Sequence, residues 1–234
     1  MADWLAASDG TTLAWRRRTR WGRVLGAGEM ALPDDRPQTL CAALASIPRS
    51  GSTSSDRLRM VLGSVYIRVA ALEWPEHRLD AEETAALLRA RWRERQTDIA
   101  GWWLGVESRG RMRLSTAIPG ELIGGLQDVA RAADSRTDAC LPATALALAR
   151  LGTDFDGHVA IDEGPRETLL EIVDGRLAGL ASRWRRAALH GAGHTVGSPG
   201  GADGASDTRQ PDDRDIQGVG RRLGGGPRAW LDWV

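Results

Sequence analysis

Between Trp4 and Glu29 short apolar-containing runs are broken twice by turn signals. This predicts a three-stranded meander. The first turn falls at Asp9-Gly10, where both positions tolerate a positive φ, and the second near Arg18-Thr19-Arg20. The third strand is expected over 21–28, with Val24 and Leu25 as its core contacts. A proline-flanked segment at 33–37 ends the meander, and an Ala/Leu-rich run over 39–47 reads as a short helix. Residues 58–63 and 65–70 read as a strand pair turning at Gly63-Ser64, closed by Trp74-Pro75 because proline cannot donate to a ladder. Asp80 followed by Glu83 has the spacing of a capping box, and Ala81, Ala85, Leu88 and Trp92 then share one helical face.

Two further strands are expected over 102–107 and 112–117. Pro119 opens a helix whose stripe is Leu122, Ile123, Leu126, Val129, Ala130 and Ala133, and Pro142 opens another that runs to Leu151. A second meander follows. Residues 158–161 enter, the chain turns at Asp162-Glu163-Gly164, and an alternating strand runs to a second turn at Asp174-Gly175. The corners at Asp9-Gly10 and Asp162-Glu163-Gly164 make the chain look like two halves that each open in the same way.

Composition changes the picture at three places. Residues 48–56 read as a flexible surface loop. From His190 to Pro227 the chain is Gly, Asp, Ser, Pro and Arg with few apolar anchors, too few to offset ordering entropy. The expected organisation is therefore a first lobe over 1–152 with an inserted strand-helix-strand subdomain and a partial second lobe over 153–189, with a meander and a short helix. A disordered Gly/Asp-rich tail over 190–234 would complete it. The tail ends in the apolar run Trp230-Leu231-Asp232-Trp233-Val234, which suits docking onto the body or onto a partner.

The 234 residues carry 31 basic and 31 acidic side chains, a formal net charge of zero. That removes the long-range attraction of a dedicated nucleic-acid binder, and no nucleic-acid partner is expected. No apolar run reaches the ~20 residues of a membrane span, and the N-terminus lacks the features of a secretory signal. A cytoplasmic protein is the expectation. Every basic residue is Arg, and 10 Trp stand against one Tyr and one Phe, which fits codon bias in a GC-rich genome. Cys41 and Cys140 sit among Leu and Ala and read as small buried hydrophobes with reduced thiols.

The order of elements resembles the actin-like (ribonuclease H-like) cytoplasmic domains of the bacterial type II secretion protein GspL and the pilus assembly protein PilM. The residues that carry the resemblance are 60–69, Trp74-Pro75 with the helix from Asp80, Ile118-Pro119-Gly120-Glu121-Leu122, and Asp162-Glu163-Gly164 through Arg176-Leu177. It covers roughly residues 4–185. The fold class it implies is α/β, with mixed sheets, β-meanders flanked by helices, and a truncated second lobe. The function it implies is a cytoplasmic scaffold binding the juxtamembrane segment of an inner-membrane assembly protein, or the assembly ATPase. GspL continues into a transmembrane helix where this chain has a Gly-rich tail, so a soluble PilM-like role is the better match.

In the actin superfamily such corners hold nucleotide phosphates. The candidate cofactor site, for ATP with Mg, is therefore Asp9, Gly10, Thr11 and Thr12 from the first corner with Asp162, Gly164 and Thr168 from the second. Pro165, Arg166 and Glu167 stand where a phosphate loop would want small residues, so the expectation is no bound cofactor and no catalysis, with an actin-like ATPase as the alternative. His190 and His194 have zinc-ligand spacing, but Gly191 and Gly193 lie between them and no third ligand is near. Arg16, Arg17, Arg18, Arg20 and Arg23, interleaved with Trp15 and Trp21, give a further alternative, a binding face for nucleic acid or anionic lipid. As a plain structural feature the same pattern is a solvated strand face. No catalytic triad or paired-carboxylate constellation can be assembled.

Overall fold

The computed structural model describes residues 2–48, 56–95, 98–107, 111–152, 154–185, 219–223, 226–232 and 234. Its central sheet has the order β3-β2-β1-β4-β8. Strands β1 (Ala2–Ser8), β2 (Thr12–Thr19) and β3 (Val24–Ala31) form the antiparallel meander expected from the two turn signals. β4 (Asp56–Leu62) then lies parallel to β1, and β8 (Ser135–Pro142) lies parallel to β4.

Helices α1 (Pro37–Ser46) and α3 (Gly120–Ala132) cover one face of this sheet. Leu40, Leu44, Leu122 and Leu126 pack there against Trp4, Ala6, Leu13, Leu58, Met60 and Leu62. The two helices approach closely at Gly125, where an added Cβ would lie 2.7 Å from Cys41 Sγ. Burial pushes the Cys41 thiol above its ordinary value, in keeping with a packing role.

A second sheet, β5-β7-β6, is built from β5 (Arg68–Glu73), β6 (Trp102–Val106) and β7 (Met112–Pro119), with α2 (Ala81–Glu94) packed on it through Leu88 and Trp92. The capping box forms as its spacing predicts. Asp80 accepts from the backbone of Glu82 and Glu83, and Glu83 accepts from the Asp80 N–H at 2.9 Å. A third sheet, β11-β10-β9-β12, follows α4 (Ala143–Arg150). Its strands are β9 (Gly157–Glu163), β10 (Arg166–Val173), β11 (Arg176–Trp184) and β12 (Val219–Leu223). The Asp174-Gly175 turn has φ values of 52° and 68°, the pair of positive angles that an Asp-Gly hairpin supplies.

Four expectations are corrected. β4 and β5 are not hairpin partners: the turn after Gly63 drives Tyr66 and Ile67 into the core, and β5 pairs with β7 instead. β8 was not expected, because its polar residues 135–138 disguise an edge strand recognisable only by its pairing with β4. Val24 and Leu25 are 52% and 49% exposed, because β3 is the outer strand and they lie at its hairpin end. Residues 219–223 and 226–232 are not a tail. β12 pairs in parallel with β9, and α5 (Gly226–Trp230) seats a fully buried Trp230 against β1. The remainder of the expected tail, at 190–218, lies outside the described residues, as do His190, His194 and most of the loop expected at 48–56.

Trp230→Ala should therefore cost about 3–5 kcal/mol, the range for truncating a buried aromatic. Denaturant unfolding measures it, and a loss below half a kcal/mol would place Trp230 outside the core. A chain stopped after residue 218 should melt many degrees lower than the full chain.

Candidate functional site

The two corners meet. Gly10, at φ +94°, turns β1 into β2, and an added Cβ there would lie 2.6 Å from Val65 Cγ2. Asp9 is buried, and its Oδ1 accepts from the Thr11 N–H, the Thr11 hydroxyl and the Thr12 N–H, each at 2.9 Å. The Gly10 N–H donates to Ser8 Oγ at 3.3 Å. Ser8 Oγ also lies 3.3 Å from the Tyr66 hydroxyl, whose pKa burial pushes up to about 12. All three backbone donors of the first corner thus have acceptors within the corner itself.

The second corner is the two-residue turn Gly164-Pro165 between β9 and β10. The Gly164 N–H donates to Asp162 Oδ1 at 3.1 Å, and Pro165 has no N–H. Gly164 adopts φ +71°, and an added Cβ would lie 2.6 Å from Asp9 Oδ2. The two acidic-glycine corners therefore abut where a phosphate would need room between them.

Strand alternation separates the other candidates. Asp162 pairs with Glu167 and Thr168 with Ile161, so Asp162 and Thr168 project from opposite faces of the sheet. Asp162 is held by Arg185 at 2.6 Å on the exposed side. Thr168 points inward and donates to Glu163 Oε2 at 2.6 Å. Of the predicted site residues, the structure brings together Asp9, Gly10, Thr11, Thr12 and Gly164, while Asp162 and Thr168 serve separate local networks.

No motif in the sequence singles out Glu163, and the sequence marks Arg166 for bulk and charge at the corner but not for a strap. Glu163 is wholly buried; Thr144 donates to Oε1 at 3.3 Å and Thr168 to Oε2. Burial raises its pKa above the ordinary value, against the opposing pull of neighbouring hydroxyls and of Arg166. The legible signal was an acid and a threonine at paired, inward positions of two apolar strands. Arg166 does not point away from the junction: Nη1 donates to the Ser64 carbonyl at 3.0 Å, and the guanidinium stacks on Trp184 at 4.5 Å. It straps the second meander to the β4–β5 turn of the first lobe. Burial pulls its pKa below the ordinary value, with Arg68 adding to the effect.

The alternative binding face would need Arg16, Arg18, Arg20 and Arg23 to form a continuous exposed stripe, and they do not. Arg16 pairs with Asp232 at 2.8 Å and Arg18 donates to the Val234 carbonyl at 3.4 Å, so the C-terminal segment occupies part of it. Arg17 lies on the other face, against Asp56 and the Trp4 ring. Among the described residues no cluster of three His, Cys, Asp or Glu is placed to hold a metal, and no helix is long and apolar enough to cross a membrane.

Comparison with solved structures agrees with this architecture. A PilM-PilN type IV pilus biogenesis complex aligns with a TM-score of 0.54 at 11% identity, over 77% of this chain and 60% of that one. A Bacteroides thetaiotaomicron protein with an actin-like ATPase fold and unknown function aligns with a TM-score of 0.54 at 10% identity, over 80% and 71%. The fold is actin-like. The chain also resembles the cytoplasmic domain of EpsL, an inner-membrane component of the type II secretion system of Vibrio cholerae, at 12% identity, over 79% and 70%, with a TM-score of 0.48. No protein-family model and no curated protein matches the chain.

Two outcomes test the junction. Gly164→Ala should destabilise by roughly 1–2 kcal/mol from the left-handed backbone alone, with an added loss that shrinks in an Asp9→Ala background if the corners are in contact; a double-mutant cycle measures it. Glu163 titrates near 4.5 when unfolded and holds its proton to higher pH when folded. Between those values the native state binds more protons, so stability falls as pH rises. Glu163→Gln should flatten that fall in unfolding experiments run from pH 4.5 upward. A wild-type-to-variant difference independent of pH would exclude the titration.

Proposed function

We propose that this chain is a non-catalytic actin-like scaffold of a bacterial type IV pilus or type II secretion-like assembly. It works at the cytoplasmic face of the inner membrane and binds a juxtamembrane segment of an assembly protein, or the assembly ATPase. The observation that carries the non-catalytic part is the junction of the two corners. The N–H groups of Gly10, Thr11, Thr12 and Gly164 donate to acceptors inside their own corners, and Pro165 has none. A phosphate site needs backbone donors directed at the anion and space for close approach. Here Asp9 sets a carboxylate against Gly164, and an anion would meet like charge.

The assembly part rests on likeness of fold to a protein solved as a PilM-PilN complex. An actin-like body without a nucleotide cycle has its lobes left as a rigid surface, and strapping by Arg166 and by Trp230 favours one fixed arrangement. Rigid presentation is what a docking scaffold requires, because it lowers the ordering cost of binding.

Titration with Mg-ATP to millimolar concentration, followed by calorimetry, should give no saturable heat, and Asp162→Ala should change nothing. Saturable micromolar binding would make the ATPase reading the leading one. Coexpression with a single-span inner-membrane protein encoded beside this chain should yield a copurifying pair, and its absence would count against the assembly role.

A further inference from the structure

The β2–β3 hairpin carries a second surface that the scaffold reading does not use. Its tip exposes three large apolar side chains close together in sequence: Trp21 at 88%, Val24 at 52% and Leu25 at 49%. Water-facing apolar groups of this size on one turn are a signal of contact with something apolar. The turn is well built. The Thr19 N–H bonds to the Arg23 carbonyl at 2.8 Å, the Gly22 N–H to the Thr19 carbonyl at 2.9 Å, and Gly22 sits at φ +81°. Trp21 is therefore presented by a defined turn.

Charge is segregated at the same place. Residues 16–25 contain five arginines and no acid, in a chain whose formal net charge is zero. The Arg20 guanidinium stands 6.0 Å from the Trp21 ring. Arg20 also lines, with Asp3, Arg57 and Arg59, a cavity of about 310 Å³ on the adjoining part of the sheet. Arg57 and Arg59 share a single carboxylate, Asp138, at 3.7 and 2.9 Å, and the buried Nε of Arg57 has no hydrogen-bond partner. The cavity thus offers cationic donors in excess of its acids.

We propose that this tip is a membrane-surface anchor. Trp21, Val24 and Leu25 enter the headgroup region of an anionic bilayer, while Arg20 and Arg23 meet lipid phosphates and the Arg57/Arg59 cavity takes a headgroup. A tryptophan suits the depth where one side is apolar and the other wet, and aliphatic neighbours add buried area at the acyl boundary. Val24 and Leu25 decide against nucleic acid: aliphatic side chains offer a base no stacking face, whereas a lipid surface rewards them. The surface is distinct from the corner junction, and nothing in it depends on the scaffold reading.

The test is flotation of the full chain with vesicles of equimolar phosphatidylcholine and phosphatidylglycerol, against phosphatidylcholine alone. Binding should require phosphatidylglycerol and weaken with salt. Arg20→Gln and Arg23→Gln should each lower it about fivefold. Trp21→Ala should abolish it, and Trp21→Phe should keep most of it while losing the quenching that brominated lipid produces in the wild type. These positions are exposed, so the melting temperature of each variant should match the wild type. Three outcomes would overturn the proposal. They are no flotation with phosphatidylglycerol, flotation unaffected by Trp21→Ala, and a Trp21-dependent dimer or oligonucleotide complex formed without vesicle binding.

Discussion

Strand β1 has to be covered on both faces, and most of the architecture follows from that. Its residues alternate between two apolar environments: Trp4 and Ala6 face the helices α1 and α3, while Leu5 and Ala7 face the opposite side. A central strand flanked by β2 and the parallel β4 leaves neither face to water. The first lobe covers one face with its own helices. The other is closed by Ala143 at the start of α4 and by Trp230 and Leu231 from the far end of the chain. A large aromatic suits this seat, because Ala7, Ala14 and Ala143 leave a broad shallow hollow that a smaller side chain would not fill.

That closure has consequences for the junction of the two corners. Trp230 reaches the β4–β5 turn, where a Cβ added at Gly63 would lie 3.3 Å from its ring and 3.1 Å from the Asp9 Cα. The same turn receives Arg166 at the Ser64 carbonyl. The first corner is thus held from two directions, by the C-terminal segment on the sheet face and by the second meander across the junction. Glu163 lies beneath as a buried acid satisfied by two threonine hydroxyls. Burying such a group costs stability unless it is hydrogen-bonded, so its position fixes how β9 and α4 sit together more than it adds to their attraction.

The parts legible in the sequence were those decided locally. The two meanders, the capping box at Asp80, the Asp174-Gly175 turn and the Leu122–Leu126 stripe each depend on residues within a few positions of one another. What escaped depended on partners far along the chain. β8 and β12 are edge strands recognisable only by their parallel neighbours β4 and β9, and the seat of Trp230 is made largely by residues of β1, β2, β4 and α4, far back along the chain. Strand parity carries one further feature of the site. Asp162 and Thr168 are six positions apart across a two-residue turn, and strand alternation alone puts them on opposite faces. Glu163, one step along, shares the inner face with Thr168. The parity of the strands pointed to the buried pair.

The all-arginine composition becomes informative once each guanidinium is followed to its acceptor. Arg183 and Arg222 converge on Glu167, which ties β10 to both β11 and the late strand β12. Arg16 pairs with Asp232 beside α5, and Arg166 crosses to Ser64. Arg222, Arg16 and Arg166 join segments distant in sequence, and their planar forks suit that work better than a flexible ammonium would. The β2–β3 tip breaks the pattern: Arg20 and Arg23 flank Trp21 in a stretch with no carboxylate at all, beside a cavity where two arginines share one. In a chain whose formal net charge is zero, this local excess of cation beside exposed apolar side chains is what sets the tip apart from the straps.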